Sequence, residues 1–282
     1  MNEIFSFTRW FRLVRKHGAG HGRKYLLGLL AVTGIILIWF LFLVLMQGYQ
    51  PLSWPVQVGT YFVVLFMVGC LFGSSLFSDL ASRPRGINYL ALPASQLEKT
   101  LCALLYGVVL FFITYTLVFY LADVIMVKVA NSVTYARWLK NHMPDEVYRP
   151  QQVVNVFTDM LEDRHDRPNP NVMALLFFFS IQAAYILGSV YFSRFSFIKT
   201  TVSLLVLSLF IILFLAKLLG AFMPDGHFLD GLNQYSVSTS GSEEQVILLP
   251  DWVNTVFWAF VRYAMAPLLW LTTYYRVREK EI

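Results

Sequence analysis

The feature that most constrains this chain is the segment 25–46, which holds 22 successive residues without one Asp, Glu, Lys or Arg. As a helix rising ~1.5 Å per residue it reaches ~33 Å, enough to cross a hydrocarbon core of ~30 Å. Comparable apolar segments recur at about 56–77, 101–127, 172–192, 198–222 and 252–275. Lipid offers no partner to an open backbone, so each must cross as a helix. The whole composition agrees: 57% of residues are hydrophobic and 14% charged, against about 45–50% and about 25% in an average soluble domain. These values exclude a disordered chain, a collagen-like chain and a disulfide scaffold, and argue against a soluble enzyme. The expected fold is all-α: a polytopic membrane protein with six transmembrane helices.

The placement of charge orients the helices. With the N-terminus inside, the cytoplasmic parts are 1–24, 78–100, 193–199 and 276–282, and they hold 14 Lys and Arg against 5 acids. The outer parts, counting Asp123 at the end of the third span, hold 6 basic and 12 acidic residues. By the positive-inside rule both termini are cytoplasmic. The net charge of +5 then records orientation, and no nucleic-acid partner is expected. Cys70 and Cys102 lie in or beside apolar runs and form no metal-type spacing.

Three further regions lie around the spans. In 1–24, Ile4, Phe7, Phe11 and Val14 recur at helical spacing with Trp10 beside them, and Arg9, Arg12, Arg15 and Lys16 lie towards the other side. This predicts an amphipathic helix in the cytoplasmic interface, in contact with membrane lipids. Gly18, Gly20 and Gly22 are expected to break it before the first span. The insertion 128–171 reads as a small extracytoplasmic helical cap, with a short helix at 133–142 and another started by Pro150 and striped by Val153, Phe157, Met160 and Leu161. The outer loop 223–251 has five acids and no Lys or Arg, and its Ser/Thr/Gly-rich stretch 236–242 reads as mobile. The domains expected are therefore 1–24, spans one to three over 25–127, the insertion 128–171, spans four to six over 172–275, and a tail 276–282.

No phosphate-binding loop, H-E-x-x-H or G-x-S-x-G occurs, so no catalytic set and no metal site is expected. His17 and His21 are four apart, a spacing that suits a metal on a helix, but the interleaved glycines argue against the helix. Gly69 and Gly73 form a G-x-x-x-G that lets helices approach closely, inside the bundle or at a dimer face. Three charges fall within spans and are costly in lipid. Asp123 and Lys217 lie at similar depth and either pair or snorkel separately. Arg262 lies deeper, with Pro267 after it, as a structural pair or as lining of a path.

The inner loop 78–100, SDLASRPRGINYLALPASQLEKT, is too long for a tight turn. A charged start is followed by Arg83-Pro84-Arg85-Gly86, read as a helix break, and then by an amphipathic stretch. Pro93 is placed to begin the helix of the third span, with Ser95 and Glu98 in its first turns. A short surface helix followed by a rigid corner suits transmission of force from a soluble partner.

At Asp79, Gly86 and Leu92-Pro93-Ala94-Ser95-Gln96-Leu97-Glu98-Lys99 the chain resembles the permease subunits of type-2 ABC exporters, in particular a bacterial subgroup with Leu-Pro-Ala-Ser followed by Glu-Lys. The ending Tyr274-Tyr275-Arg276-Val277-Arg278-Glu279-Lys280-Glu281 is similar to the same subgroup. The resemblance implies a bacterial inner-membrane location and a path formed with a second permease copy or a homologous permease. It also implies coupling through Asp79, Arg83, Arg85, Gly86, Leu92, Pro93, Ala94, Ser95, Glu98 and Lys99 to a separate ATPase. ATP and Mg would sit on that partner, with no cofactor in this chain and no bond chemistry of its own. The alternative is a non-transport membrane scaffold or sensor that binds through 128–171.

Overall fold

The computed structural model describes residues 5–46, 51–81, 83–140, 148–157, 169–222, 226–228, 234–238, 244–248 and 251–280. Its helices are α1 (Phe7–Met46), α2 (Trp54–Ser75), α3 (Arg83–Leu90), α4 (Gln96–Leu104), α5 (Phe111–Lys140), α6 (Pro170–Tyr191), α7 (Ser196–Phe222), α8 (Asp251–Ala259) and α9 (Met265–Glu279). A tight helical turn, Ser78–Ala81, precedes α3. π-helical turns at Leu105–Leu110 and Phe260–Ala264 join α4 to α5 and α8 to α9, so each pair is one continuous rod.

Among the described residues five helices are long and apolar enough to cross a membrane: Phe7–Met46, Trp54–Leu80, Gln96–Lys140, Pro170–Tyr191 and Ser196–Leu215. The chain is thus a multi-pass membrane protein by the length and composition of its helices. The segment expected to cross a sixth time is the α8–α9 rod, which is helical but is not one of those five.

The structure departs from the sequence expectations at several points. The three glycines do not break the first helix, which runs unbroken for 40 residues, about 60 Å. A helical glycine costs roughly 1 kcal/mol against alanine, and at Gly18 packing acts against that cost. At Gly18 a Cβ would lie 2.5 Å from the Tyr106 hydroxyl, which itself donates to the Val14 carbonyl at 3.0 Å. The amphipathic segment is therefore continuous with the first span. At the other end, α5 extends to Lys140, because 111–140 contains neither Gly nor Pro. The short helix expected at 133–142 is, as far as Lys140, the end of α5. Pro150 does not start a helix: 148–155 is irregular and a helical turn begins only at Val156 and Phe157. Met160 and Leu161 of the expected stripe lie outside the described residues.

The architecture is helical, as expected, with one addition to it among the described residues. The outer loop contributes β1 (Gly226–Phe228), β2 (Gln234–Ser238) and β3 (Glu244–Leu248) in an antiparallel sheet of order β1-β2-β3. Tyr235 and Val237 on β2 oppose Ile247 and Gln245 on β3, the aromatic and β-branched content that favours strands. Ser236, Val237 and Ser238, read as mobile loop, belong to β2. Residues 239–242 lie outside the described residues.

Two buried clusters hold the bundle. One joins Ile36, Phe40 and Val44 of α1 to Tyr61 and Leu65 of α2 and to Phe119 and Ala122 of α5. The other, at the basic end, joins Phe77, Ala103, Val108, Ile186, Val190 and Val277. Small residues bring the helices together. A Cβ at Gly69 would meet the Phe178 ring at 2.5 Å, and one at Gly73 would meet the Gln182 carbonyl and Ile186 at 3.3 Å. Both glycines thus face α6 within the bundle. Gly188 on α6 meets Thr200 on α7 in the same way.

Polar side chains complete the backbone where helices are interrupted. Gln182 is fully buried and donates to the Gly107 carbonyl at 3.0 Å, within the π turn, where the regular ladder is displaced. At the acidic end the buried Gln57 donates to the Leu52 and Gln152 carbonyls at 2.7 and 3.0 Å and accepts from the Val154 amide at 3.0 Å. Asn131 bonds Gln151 in both directions at 2.9 and 2.8 Å. The non-helical segment 148–157 is held on the bundle by these amides, as buried backbone requires.

Candidate functional site

The basic end concentrates the residues picked out by sequence. Ser95 caps α4: its hydroxyl accepts from the Glu98 amide at 3.2 Å, and Glu98 accepts from the Ser95 amide at 2.9 Å. This reciprocal capping box satisfies two donors of the helix start. The helix begins after Ser95, and Pro93 stands two residues before the cap in the corner, where the Ala94 amide bonds the Leu92 carbonyl at 2.7 Å. Pro93 therefore shapes the corner and does not open the helix.

Glu98 does more than cap. Its carboxylate also accepts from the Ser6 amide at 2.7 Å and from Arg9 Nε and Nη2 at 2.7 and 2.8 Å. The two Arg9 bonds reach both carboxylate oxygens, the bidentate geometry that makes guanidinium–carboxylate pairs strong. The Glu98 side chain is fully buried, while that of Arg9 is 38% exposed. Gln96–Lys140 is 45 residues long, about 68 Å, longer than the ~30 Å hydrocarbon core, and its apolar run begins near 101, after Glu98 and Lys99, so this first turn lies outside the core. Burial alone would raise the Glu98 pKa, but Arg9 and the Ser6 and Ser95 amides outweigh it and hold the carboxyl below the usual carboxylate range.

Other contacts extend the junction. Asp79, on the turn before α3, lies 3.6 Å from His21 Nε2 on α1. His17 Nε2 and the Tyr25 hydroxyl are 2.7 Å apart, and the His17 ring lies 4.7 Å from that of Tyr106. Lys99 is buried, with its ammonium 5.9 Å from the centre of the Tyr89 ring. A cavity of about 480 Å³ lies among these groups, lined by Lys16, His21, Lys24, Asp79, Tyr89 and Lys99 among others.

The remaining residues of the inner loop are placed as follows. Arg83-Pro84-Arg85-Gly86 is not a break; it forms the first half of α3, since proline is tolerated in a first helical turn. The side chains of Arg83 and Arg85 lie outside the described residues. Gly86 is buried against the backbone of Asp79 and Leu80, 3.9 Å from the position of an added Cβ. Ile87 on α3 stands out, 66% exposed. At the chain's end Lys280 donates to the Val190 carbonyl at 2.5 Å and Arg276 lies over the Tyr191 ring at 4.6 Å. Burial, with Arg276 nearby, holds the Lys280 ammonium below the usual lysine range.

The three intramembrane charges do not meet. Asp123 is fully buried and neither carboxylate oxygen has a hydrogen-bond partner, whereas Lys217 is exposed on α7. Arg262 sits in the second π turn, its guanidinium 5.6 Å from the Trp258 ring. Sequence reading missed Ser6 and Arg9 as partners of Glu98. It also missed Gln57 and Gln182, whose one signal is a glutamine inside an apolar run.

No family model, curated protein or solved structure matches this chain.

Proposed function

We propose that this chain is the membrane-spanning subunit of an ATP-driven exporter similar to the type-2 ABC permeases, with 78–100 as the loop that engages a separate ATPase. The observation that carries this reading is the Glu98 junction. It ties three parts of the chain at one end of the bundle: the start of α1, the corner after α3, and the α4–α5 rod. A push on α3 is relayed through a buried, multiply bonded carboxylate into two long helices, and not dissipated in a slack loop. Energy would enter by contacts that differ between two states of the partner. The α8–α9 rod supplies the sixth crossing and returns the C-terminal tail to the basic, cytoplasmic end, where Lys280 meets Val190. The exposed apolar surface of α7, from Leu205 to Leu215, suits a second permease copy. The chain supplies the path and its gate, and a partner binds ATP and Mg.

The test uses Ile87, which is exposed and outside the buried junction. Ile87→Cys in a cysteine-free background is treated with a bifunctional thiol reagent in membranes that also contain a candidate P-loop subunit. A specific cross-link, with ATPase activity that Ile87→Glu uncouples from the permease, is the expected result. An adjacent or co-expressed ATPase that neither co-purifies nor cross-links would remove the proposal.

A further inference from the structure

Two cavities meet at Lys24. The first, of about 470 Å³, lies between α1, α2 and the α4–α5 rod, and is walled chiefly by apolar groups such as Leu29, Val32, Leu71, Phe72, Leu110 and Val118. The second is the polar cavity of the basic end, and Lys24 lines both. Their polarity changes in order along the rods. At the Lys24 level the apolar groove carries Tyr25, Ser75 and Tyr106, and its far end reaches Val32, Val68 and Val118. From Tyr106 to Val118 is twelve residues along one rod, about 18 Å. Half of the ~30 Å hydrocarbon core is about 15 Å. The groove therefore starts where cations and aromatic hydroxyls gather and runs about one leaflet deep.

Charge selects the head of the occupant. Lys16, Lys24 and Lys99 line the polar cavity against Asp79 as its one carboxylate among the described residues, and Asp79 itself faces His21. Lys24 is exposed at the shared mouth, and Lys16 is exposed a little more than two helical turns before it on α1. An acyl chain alone would satisfy the groove and leave Lys16 and Lys24 at its mouth unused. A small anion alone would satisfy the cations and leave the groove empty.

We infer that this composite cleft binds one anionic phospholipid from the leaflet at the basic end, with its phosphate at Lys24 and Lys16 and one acyl chain in the groove between α1, α2 and α5. The polar half is walled in part by α3, through Asn88 and Tyr89, but lipid binding requires no ATPase partner, so it is tested apart from the transport reading. The lipid would brace the half of α1 that the glycines weaken. Gly28 offers a way to block it: it lines the groove, and a Cβ there meets nothing within 4 Å, so a large side chain at the groove wall is accommodated without displacing the backbone.

The experiment is native mass spectrometry of the delipidated, detergent-purified full chain, titrated with phosphatidylglycerol, phosphatidylcholine or glycerol phosphate. One phosphatidylglycerol is expected to be retained in preference to phosphatidylcholine, with no binding of glycerol phosphate at the same concentration. Lys16→Gln and Lys24→Gln should each weaken the anionic lipid about fivefold, near the effect of one cation at an anionic surface, and Lys24→Arg should restore it. Gly28→Trp should abolish retention of both lipids while melting in lipid-free detergent stays unchanged. Equal retention of the two lipids, undiminished binding to Gly28→Trp, or equal binding of glycerol phosphate would each overturn the site. Should a variant melt early, wild-type protein carries the same test, since the lipid preference and the glycerol phosphate comparison need no substitution.

Discussion

Arg9 and Glu98, 89 residues apart, form a bidentate pair in which Nε and Nη2 of the arginine bond both carboxylate oxygens at 2.7 and 2.8 Å. The pair joins the first helix to the start of the third long rod. Removing one partner leaves the other's hydrogen bonds unmade. Buried pairs broken this way cost about 3–5 kcal/mol, and the partial exposure of Arg9 lowers the expectation to about 2 kcal/mol for Arg9→Gln. Glu98→Ala should cost more, because the Ser6 and Ser95 amides also lose their acceptor. A double-mutant cycle on thermal unfolding in detergent should give a favourable coupling of about 1 kcal/mol or more. Strictly additive losses would show that the pair is incidental.

The same carboxylate sets an acid limit. Its pKa lies below the ordinary carboxylate value in the folded chain, so its contribution is complete above the unfolded value of about 4.3. It is lost as pH falls below that value and through the folded one. Melting temperature should therefore fall with acidification in the wild type through this window, and fall less steeply in Glu98→Gln. Parallel pH profiles for the two proteins would contradict the assignment.

Gly188, Gly69 and Gly73 should rank by the space their helices leave. An alanine at Gly188 meets Thr200 Oγ1 at 2.0 Å and one at Gly69 meets Phe178 at 2.5 Å, while at Gly73 the nearest atoms lie at 3.3 Å. Overpacking costs about 1–3 kcal/mol. Gly188→Ala and Gly69→Ala should destabilise by amounts in that range and Gly73→Ala by less, with Gly59→Ala, which faces open space on α2, as the control that stabilises by up to roughly 1 kcal/mol. Melting curves of the four purified variants check the order.

Gln182 should matter through one bond. Its amide serves the Gly107 carbonyl inside the π turn. Interhelical hydrogen bonds in membranes average about 0.6 kcal/mol and reach about 1.7, and full burial places this one towards the upper value. Gln182→Leu should lower stability by about 1–1.5 kcal/mol, read from thermal unfolding.

Asp123 should behave in the opposite way. A buried carboxyl without a partner costs free energy, so Asp123→Leu should raise the melting temperature, by about 1–3 kcal/mol in stability. A lower melting temperature would mean that the carboxyl holds a partner in the working protein.

Much of the architecture was legible in the amino-acid order because it depends on local properties. An uncharged run such as 25–46 has one way to satisfy its backbone in lipid, and Ser95 followed by Glu98 three residues later is a helix start wherever it occurs. The same local logic misjudged Gly18, Gly20 and Gly22. Their intrinsic cost is real, but at Gly18 the helix is held by a contact with Tyr106, a residue 88 positions away, while Gly20 and Gly22 face open space within the same unbroken helix. It missed Pro84 inside the first turn of α3 and the strand pairing of Tyr235 with Ile247 for the same reason: a partner segment decides both.

By itself, then, the sequence determined that the chain is built of apolar membrane-crossing helices with its cations gathered at one end, since hydrocarbon thickness and backbone hydrogen bonding leave no alternative. Only the tertiary structure decided that Glu98 is held by Arg9, that Gly69 and Gly73 face α6, and that Asp123 and Lys217 stay apart. Those relations depend on helix rotation and on contacts between residues far apart in the chain, and a hydropathy pattern carries neither.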